Sequence, residues 1–294
     1  MSRAGTGGVS GAAGVSKVNS STIHSKFGCA VAAASISIAI SACSTGVIPT
    51  TEPEPETAQP PASEIQTARD LVREMHALYS GKWYTTLRFE QSNTFYTSSG
   101  REEKSRWVEN LAVPGKLRID FEPLSSKSGL LILNNRVTTF DNGRRGETRR
   151  SIQPILTLTA DVYAIPPAVT ARRLDSLKID LDKFRTARLD RKRAYVIGAD
   201  DDDDLTSNQI WIDAEKLVLL RLIQTETRAG RSVTTDTRVG GYREIEGYPV
   251  ATEFLSLRDG KPYFREEYEN IRVNEPIPPA VFDPTRWTRA QPSA

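Results

Sequence analysis

Side chains able to carry out chemistry are scarce in this sequence. It contains two histidines, His24 and His76, and two cysteines, Cys29 and Cys43. The chain beyond Cys43 therefore has no partner for His76 in a nucleophilic or His-rich zinc site. Phosphate-binding loops, dinucleotide-binding glycine patterns and the G-x-S-x-G nucleophile motif are absent from the sequence as well. We therefore predict no enzymatic activity, no cofactor and no metal, while a hydrolase with a carboxylate pair stays open because Asp and Glu are plentiful.

The most conspicuous charged segment runs from Asp200 to Asp204. Its carboxylates are hard oxygen ligands of the kind that calcium prefers, but the run lacks the glycine-punctuated spacing of a calcium loop. It falls between two predicted strands, so we predict a hydrated hairpin loop. His76 stands beside the predicted core positions Val72 and Met75, which indicates a packed or surface histidine.

Basic residues recur in short clusters. Such clusters could contact anionic lipid headgroups, but solvated turns and strand faces are the alternative that we favour, since acidic residues are interspersed among them. The clusters are Arg144-Arg145, Arg149-Arg150, Arg172-Arg173 and Arg191-Lys192-Arg193.

The N-terminal region has the layout of a secretory signal. Residues 1–26 carry Arg3, Lys17 and Lys26 but no acidic residue, and an apolar run from Phe27 to Ala42 follows. That run is shorter and richer in Ser and Ala than a membrane span, which needs roughly 20 apolar residues. It ends in Ile40-Ser41-Ala42-Cys43, which resembles a bacterial lipobox. We therefore predict a lipoprotein signal peptide over residues 1–42, with lipidation of Cys43.

Removal of that leader would change the composition of the chain. Cys29 would be lost, so Cys43 would be the only cysteine left and no internal disulfide could form. The leader holds three of the 39 Lys and Arg and none of the 37 Asp and Glu, which leaves 36 basic residues against 37 acidic ones. A chain so close to neutral does not have the basic excess of a nucleic-acid-binding protein.

Two further segments follow the leader. Residues 43–64 are rich in Pro and Glu and contain no aromatic side chain, so they are predicted to form a disordered tether after the acylated cysteine. Residues 65–294 are predicted to form one folded domain.

The domain begins with helical periodicity and continues with strand periodicity. Apolar side chains at Ala68, Leu71, Val72, Met75, Leu78 and Tyr79 follow the spacing of an amphipathic helix that Gly81 would end. From Trp83 onward the period is two. Strands are predicted from 83, and over 104–113, 117–122, 129–134, 136–141, 146–152, 184–190, 193–199, 208–213, 217–227, 232–240, 249–258 and 262–273.

A helical section interrupts the strands over residues 154–182, with a break at Pro166-Pro167. Regularly spaced short strands joined by turns are typical of a barrel or of a strongly curved sheet. We therefore predict a mainly β (α+β) fold, in which a curved antiparallel sheet of roughly a dozen strands surrounds a central helical plug. The proline-rich tail, EPIPPAVFDPTRW, is expected to wrap an edge.

Four segments resemble the LolA/LolB superfamily of outer-membrane lipoprotein-sorting proteins. They are the opening helix and first strand LVREMHALYSGKWYTTLRFEQ, the strand–Pro–strand element VENLAVPGKLRIDFEP, and the hairpins GLLILNNRVTTFDNGR and NQIWIDAEKLVLLRLIQ. The resemblance spans about residues 65–287. Its motifs are structural, and none is a catalytic signature.

The resemblance implies a half-open β-barrel closed by helices, with an apolar cavity for acyl chains. A lipid-anchored member is similar to LolB, the receiver of lipoproteins at the outer membrane, and Ser44 after the cysteine favours outer-membrane sorting. Two features depart from the family's pattern. The sequence lacks a protruding apolar loop for membrane insertion, and Val113 precedes Pro114 where the soluble carrier has a gating arginine.

The expected function is therefore to bind acyl chains of lipoproteins or lipids. This binding would serve the sorting of lipoproteins to the outer membrane, and the protein would lie on the periplasmic side of that membrane. An envelope sensor or scaffold of the same fold, with a membrane protein as its partner, is the alternative, and no nucleic acid is expected as a partner. Candidate cavity residues are the alternating apolar side chains Trp83, Leu87, Phe89, Trp107, Leu117, Ile119, Phe121, Leu131, Leu133, Trp211 and Leu220.

Overall fold

A computed structural model describes residues 65–228 and 230–290. The predicted signal peptide, Cys43 and the predicted tether lie outside the described residues. In the described part, no helix combines the length and the apolar character that crossing a membrane requires.

Helix α1 spans Ala68–Tyr79. The side chain of Thr67 begins it by accepting a hydrogen bond from the backbone N–H of Asp70 at 3.1 Å, as expected of an N-terminal capping residue. Ala68, Leu71, Val72 and Met75 are buried along one face of the helix, which confirms the predicted apolar stripe except at its end, where Leu78 is exposed.

The predicted central helical section forms α2 (Pro154–Thr159), a short 3-10 turn (Asp161–Tyr163) and α3 (Pro167–Ser176). We call residues 154–176 the helical plug.

The described strands pair in antiparallel fashion. They are β1 (Thr86–Tyr96), β2 (Glu102–Ala112), β3 (Lys116–Phe121), β4 (Gly129–Leu133), β5 (Arg136–Asp141), β6 (Arg144–Arg150), β7 (Phe184–Leu189), β8 (Lys192–Ile197), β9 (Gln209–Asp213), β10 (Leu219–Arg228), β11 (Arg231–Gly240), β12 (Arg243–Ile245), β13 (Tyr248–Val250), β14 (Glu253–Arg258) and β15 (Lys261–Val273).

Thirteen of these strands form one sheet in the order β6-β5-β4-β3-β2-β1-β15-β14-β11-β10-β9-β8-β7, and β12 pairs with β13 in a separate hairpin. The sheet is not closed, because β6 and β7 are its edges. It is curved as in a half-open barrel, which confirms the predicted fold class. The first and last long strands, β1 and β15, meet at its centre.

Two predicted strands differ from the structure. The first begins at Thr86 and not at Trp83, because Trp83 and Tyr84 are both buried and do not alternate. The predicted strand 249–258 is two strands, β13 and β14, since Pro249 lacks a backbone N–H and Thr252 binds the carbonyl groups of Gly240 and Gly241.

The C-terminal tail packs on β3 to β5, one strand in from the β6 edge. Trp287 stacks on Phe140 with ring centroids 4.0 Å apart, and its indole N–H donates to the carbonyl of Lys127 at 2.8 Å. Leu131, Val281 and Phe282 complete this cluster. The tail was expected to wrap an edge, but its apolar side chains pack on the face of β4 and β5 instead.

Gly129 leaves room for this packing, and Gly129→Ala should destabilise the protein. A Cβ at Gly129 would lie 2.0 Å from the backbone oxygen of Ile119 and 3.0 Å from the Trp287 ring. We expect a loss of about 1–3 kcal/mol in the free energy of unfolding, measured by urea denaturation. Gly240→Ala is the matched control, because its Cβ would meet nothing within 4 Å. Equal stability of the two variants would contradict the prediction.

Candidate functional site

The register of the strands separates the sheet into two faces, because directly opposed residues of antiparallel neighbours point to the same side. Leu87 of β1 is opposite Leu111, which is opposite Leu117 of β3. Phe89 is opposite Glu109, which is opposite Ile119. We call the face with these residues the inner face and the other the outer face. On β1 the inner-face residues are buried along most of the strand, whereas the alternate residues are only half-buried.

The candidate cavity residues divide between these faces. Leu87, Phe89, Trp107, Leu117, Ile119 and Phe121 share the inner face, and Trp83 lies just before β1. Leu131 and Leu133 are opposite Arg118 and Lys116, so they lie on the outer face, beneath the C-terminal tail.

Trp211 also lies on the outer face. It is opposite Arg221, and that register continues through Arg238 to Leu255. Leu220 packs with Trp211 in the same cluster. These two residues, like Leu131 and Leu133, cannot line one surface with Leu117 and Ile119.

Aromatic rings and the helical plug close one end of the inner face. Tyr163 of the plug lies 4.0 Å from Trp83 and 4.9 Å from Tyr79 between ring centroids. Tyr84 and Tyr248 extend the group. Burial, with a smaller contribution from Asp213, raises the pKa of Tyr79 to about 12, so its hydroxyl stays neutral and can donate a hydrogen bond.

Hydrogen bonds fasten the plug and α1 to both halves of the sheet. Asp161 accepts a hydrogen bond at 2.8 Å from the backbone N–H of Gly115, in the β2–β3 turn, and also pairs with Arg173. On the far side, Tyr163 and Tyr79 donate to the carbonyl groups of Leu217 and Lys216, in the β9–β10 turn, at 3.1 and 2.8 Å. The helices therefore bridge two turns that belong to opposite halves of the sheet.

The space left beneath the plug is small. A void of about 10 Å³ lies among Trp83, Thr159, Tyr163, Val218 and Tyr242. The resemblance implied an apolar cavity, but side chains fill this part of the structure. A surface groove of about 580 Å³ runs between the start of α1 and residues 175–182, and its lining mixes Arg69, Arg172 and Lys178 with three aspartates.

Polar side chains occupy the middle of the inner face. Gln91 and Asn93 of β1, Glu109 of β2, and Glu266 and Tyr268 of β15 are all buried there, and we call these five residues the polar belt. Gln91 is opposite Tyr268, and Asn93 is opposite Glu266. The Gln91 amide donates to Oδ1 of Asn93 at 2.5 Å, and the Tyr268 hydroxyl donates to Glu266.

The carboxyl groups of the belt are held in an unusual state. Burial raises the pKa of Glu109 well above its usual range, and the neighbouring charge of Glu266 adds to that effect. Burial also raises the pKa of Glu266, against the opposing hydrogen bond from Tyr268. Both glutamates therefore keep their proton to a higher pH than an exposed glutamate does.

Beyond the belt, toward the far ends of the same strands, the inner face is aromatic again. Phe95 stacks on Phe264 with centroids 4.5 Å apart, and Trp107 lies 5.1 Å from Phe121. The inner face thus carries an apolar layer, a polar belt and a second apolar layer along the central strands.

The aspartate run forms an exposed loop between β8 and β9. Asp200 pairs with Lys183 at 2.8 Å, Asp202 pairs with Arg185, and Asp204 accepts hydrogen bonds from the backbone of Thr206 and Ser207. Hydrogen bonds from the side chain and the backbone of Ser207, together with those from Thr206, lower the pKa of Asp204. Within the described ranges, no group of three or more His, Cys, Asp or Glu side chains is placed to hold a metal ion.

The basic clusters mostly lie on the two edges of the sheet. Arg144, Arg145, Arg149 and Arg150 are exposed on β6, and Arg191-Lys192-Arg193 lies in the exposed β7–β8 hairpin. Arg173 is different, since it is half-buried and pairs with Asp161. Charged side chains on edge strands oppose pairing with another sheet, which accounts for these clusters without a ligand.

Comparison with solved structures identifies the fold. A DUF1329 family protein from Desulfovibrio piger aligns over 75% of this chain and 98% of its own, with 13% identity and a TM-score of 0.51. A LolA superfamily protein from Nitrosomonas europaea aligns over 74% and 98%, with 13% identity and a TM-score of 0.50. The chain shares the fold of these two structures. A putative outer membrane lipoprotein-sorting protein domain from Vibrio parahaemolyticus aligns over 75% of this chain and 98% of its own, with 10% identity and a TM-score of 0.53.

At these identities the likeness to LolA superfamily structures concerns the fold alone. No family model and no curated protein matches the sequence.

Proposed function

We propose that this protein is a lipid-anchored protein of the bacterial cell envelope that binds acyl chains, such as palmitate, of lipoproteins or lipids on its inner face. It would act in the sorting or transfer of lipoproteins to the outer membrane, on the periplasmic side, and by binding and not by catalysis. The predicted acylation of Cys43 supplies the anchor. The observation that carries the proposal is the LolA superfamily fold with an inner face that bears two apolar layers, one on each side of the polar belt.

Acyl-chain binding has a clear energetic basis on such a face. Each methylene removed from water contributes about 0.8 kcal/mol, so a long chain gains on the order of 10 kcal/mol from an apolar surface. Transfer between two apolar environments then requires no bond chemistry. The apolar side chains that lie at the plug end of the inner face, Leu87, Phe89, Leu117 and Ile119, offer that surface.

Because only about 10 Å³ is free beneath the plug, an acyl chain must displace the helices. The bonds of Asp161, Tyr79 and Tyr163 to the two turns are the contacts that would break in this step. The plug therefore acts as a lid that the ligand replaces, and its buried apolar residues leave the inner face as the acyl chain enters.

Photo-crosslinking tests this function. The full chain would be incubated with palmitic acid that carries a photoactivatable group near its methyl end, and the modified residues identified by peptide mass spectrometry. We expect modification on the inner face, at or beside Leu117 and Ile119. Modification confined to Leu131 and Leu133, their counterparts on the outer face of the adjacent strand, would contradict the proposal.

A variant of the plug tests whether the plug controls the rate at which the probe binds. Asp161→Ala removes the acceptor of the Gly115 N–H and the ion-pair partner of Arg173, so the plug should open more often and the probe should bind faster, by about tenfold. Asp175→Ala, on the exposed side of α3, is the matched control. Equal rates in the two variants would show that the plug does not gate binding.

A second candidate function is a sensor or scaffold of the same fold that binds a membrane-protein partner. The filled space beneath the plug favours it, since such a protein needs no cavity. Native mass spectrometry of the detergent-extracted protein separates the two functions. A scaffold should carry no lipid beyond its own anchor, whereas an acyl carrier should retain bound ligand.

A further inference from the structure

The polar belt is incompletely paired. Both carboxylate oxygens of Glu109, one of Glu266 and the amide oxygen of Gln91 are buried without a hydrogen-bond partner, as is the amide nitrogen of Asn93. Each unpaired buried polar group costs roughly 1–3 kcal/mol, so a cluster of five such atoms in the centre of a sheet requires an explanation.

The unpaired atoms share a chemical character. Four of the five are oxygen atoms, and three of these belong to the carboxyl groups of Glu109 and Glu266, which act purely as hydrogen-bond acceptors when they are ionised. Gln91 and Asn93 are nearly inaccessible amides whose register places them beside Tyr268 and Glu266, so they point into the same cluster independently of the glutamates. A matching ligand donates several hydrogen bonds and carries positive charge.

We propose that the polar belt binds a primary ammonium group and thereby selects amphiphiles that carry one. This inference rests on the proposed function for the acyl part of the ligand. The belt lies between the apolar layer of Leu87 and Phe89 and the aromatic layer of Phe95 and Phe264, so an ammonium group there has apolar surface on both sides. Three N–H donors meet the unpaired acceptors, and the positive charge stabilises an ionised Glu109 or Glu266.

Two lysolipids with the same acyl chain test this selection. Lysophosphatidylethanolamine has three N–H donors, whereas lysophosphatidylcholine has the same charge with methyl groups in their place. Binding of each to the full chain would be measured by calorimetry below the lipids' micelle-forming concentrations. We expect the ethanolamine lipid to bind about tenfold more tightly, and free ethanolamine to compete for the same belt.

Isosteric variants test whether the two belt glutamates cause the preference for the ethanolamine lipid. Glu109→Gln and Glu266→Gln should remove the preference, while Glu267→Gln should keep it, because Glu267 lies on the outer face and pairs with Arg265. Since both belt variants replace a buried carboxyl group by a neutral amide of the same shape, they should fold.

The outcomes separate the two proposals. Equal binding of both lysolipids would overturn the ammonium site and leave acyl binding standing. Failure of both lipids to bind, with free ethanolamine still bound in a Glu109-dependent manner, would overturn acyl binding and support the ammonium site. Absence of binding by all three compounds would overturn both.

Discussion

Arg118→Ala should lower the free energy of unfolding by about 3–5 kcal/mol, the range for removal of one partner of a buried ion pair. Arg118 is fully buried on the outer face and forms two 2.8 Å bonds with Asp120. It also donates to the carbonyl groups of Val281, Trp287 and Ala290, and its guanidinium lies 3.9 Å from the Trp287 ring centroid. Loss of Arg118 leaves Asp120 and three tail carbonyls unpaired together.

Urea denaturation measures this effect, and limited proteolysis shows whether the tail detaches first. Arg118→Lys should recover little stability, because a lysine cannot form the paired bonds to Asp120 and reach the tail carbonyls as well. Arg272→Ala, at an exposed position of β15, should stay within about 0.5 kcal/mol of the unmodified protein. If Arg118→Ala were as stable as Arg272→Ala, the tail would not depend on this cluster.

The order and type of the elements could be predicted from the sequence because they depend on local periodicity. The stripe of Leu71, Val72 and Met75 has helical spacing, and β1 alternates at every second residue from Leu87. Turns such as Asn134-Asn135 and Asp141-Asn142-Gly143 adopt positive φ at residues that tolerate it. These signals lie within a few residues of one another, so one sequence is sufficient to find them.

The faces of the sheet could not be predicted in the same way. Leu131 and Leu117 have similar local patterns, but a long-range pairing decides that Leu131 is opposite Arg118. The C-terminal tail then buries the outer face of β4, so both of its faces are apolar and alternation gives no direction. When a strand is buried on both faces, its own sequence does not indicate which of its residues face the inner side of the sheet.

The polar belt had a signal that sequence reasoning missed. Glu109 stands between Trp107 and Leu111 at a spacing of two, so it shares their face in any strand. Gln91 and Asn93 continue the alternation of Leu87 and Phe89 in the same way. Polar residues at inward positions of a predicted strand contradict simple core packing, so their spacing in the sequence is sufficient to indicate a candidate site.

The buried glutamates should also make the stability of the protein depend on pH. In the unfolded chain a glutamate titrates near a pKa of about 4.3, whereas burial raises the pKa of Glu109 and Glu266 well above this in the folded state. Between these values the folded state binds more protons than the unfolded one. The stabilisation is therefore complete below about pH 4 and is lost as the pH rises, by at most about 1.4 kcal/mol per pH unit for each group.

Comparison of variants isolates this contribution from that of Asp120 and Asp161, whose pKa values burial also raises. The double variant Glu109→Gln with Glu266→Gln should have a flatter dependence of unfolding free energy on pH between about 5 and 8. Glu267→Gln, on the outer face, should keep the slope of the unmodified protein. A slope that the double variant leaves unchanged would contradict the prediction, because it would mean that the two carboxyl groups bind protons equally in the folded and unfolded states.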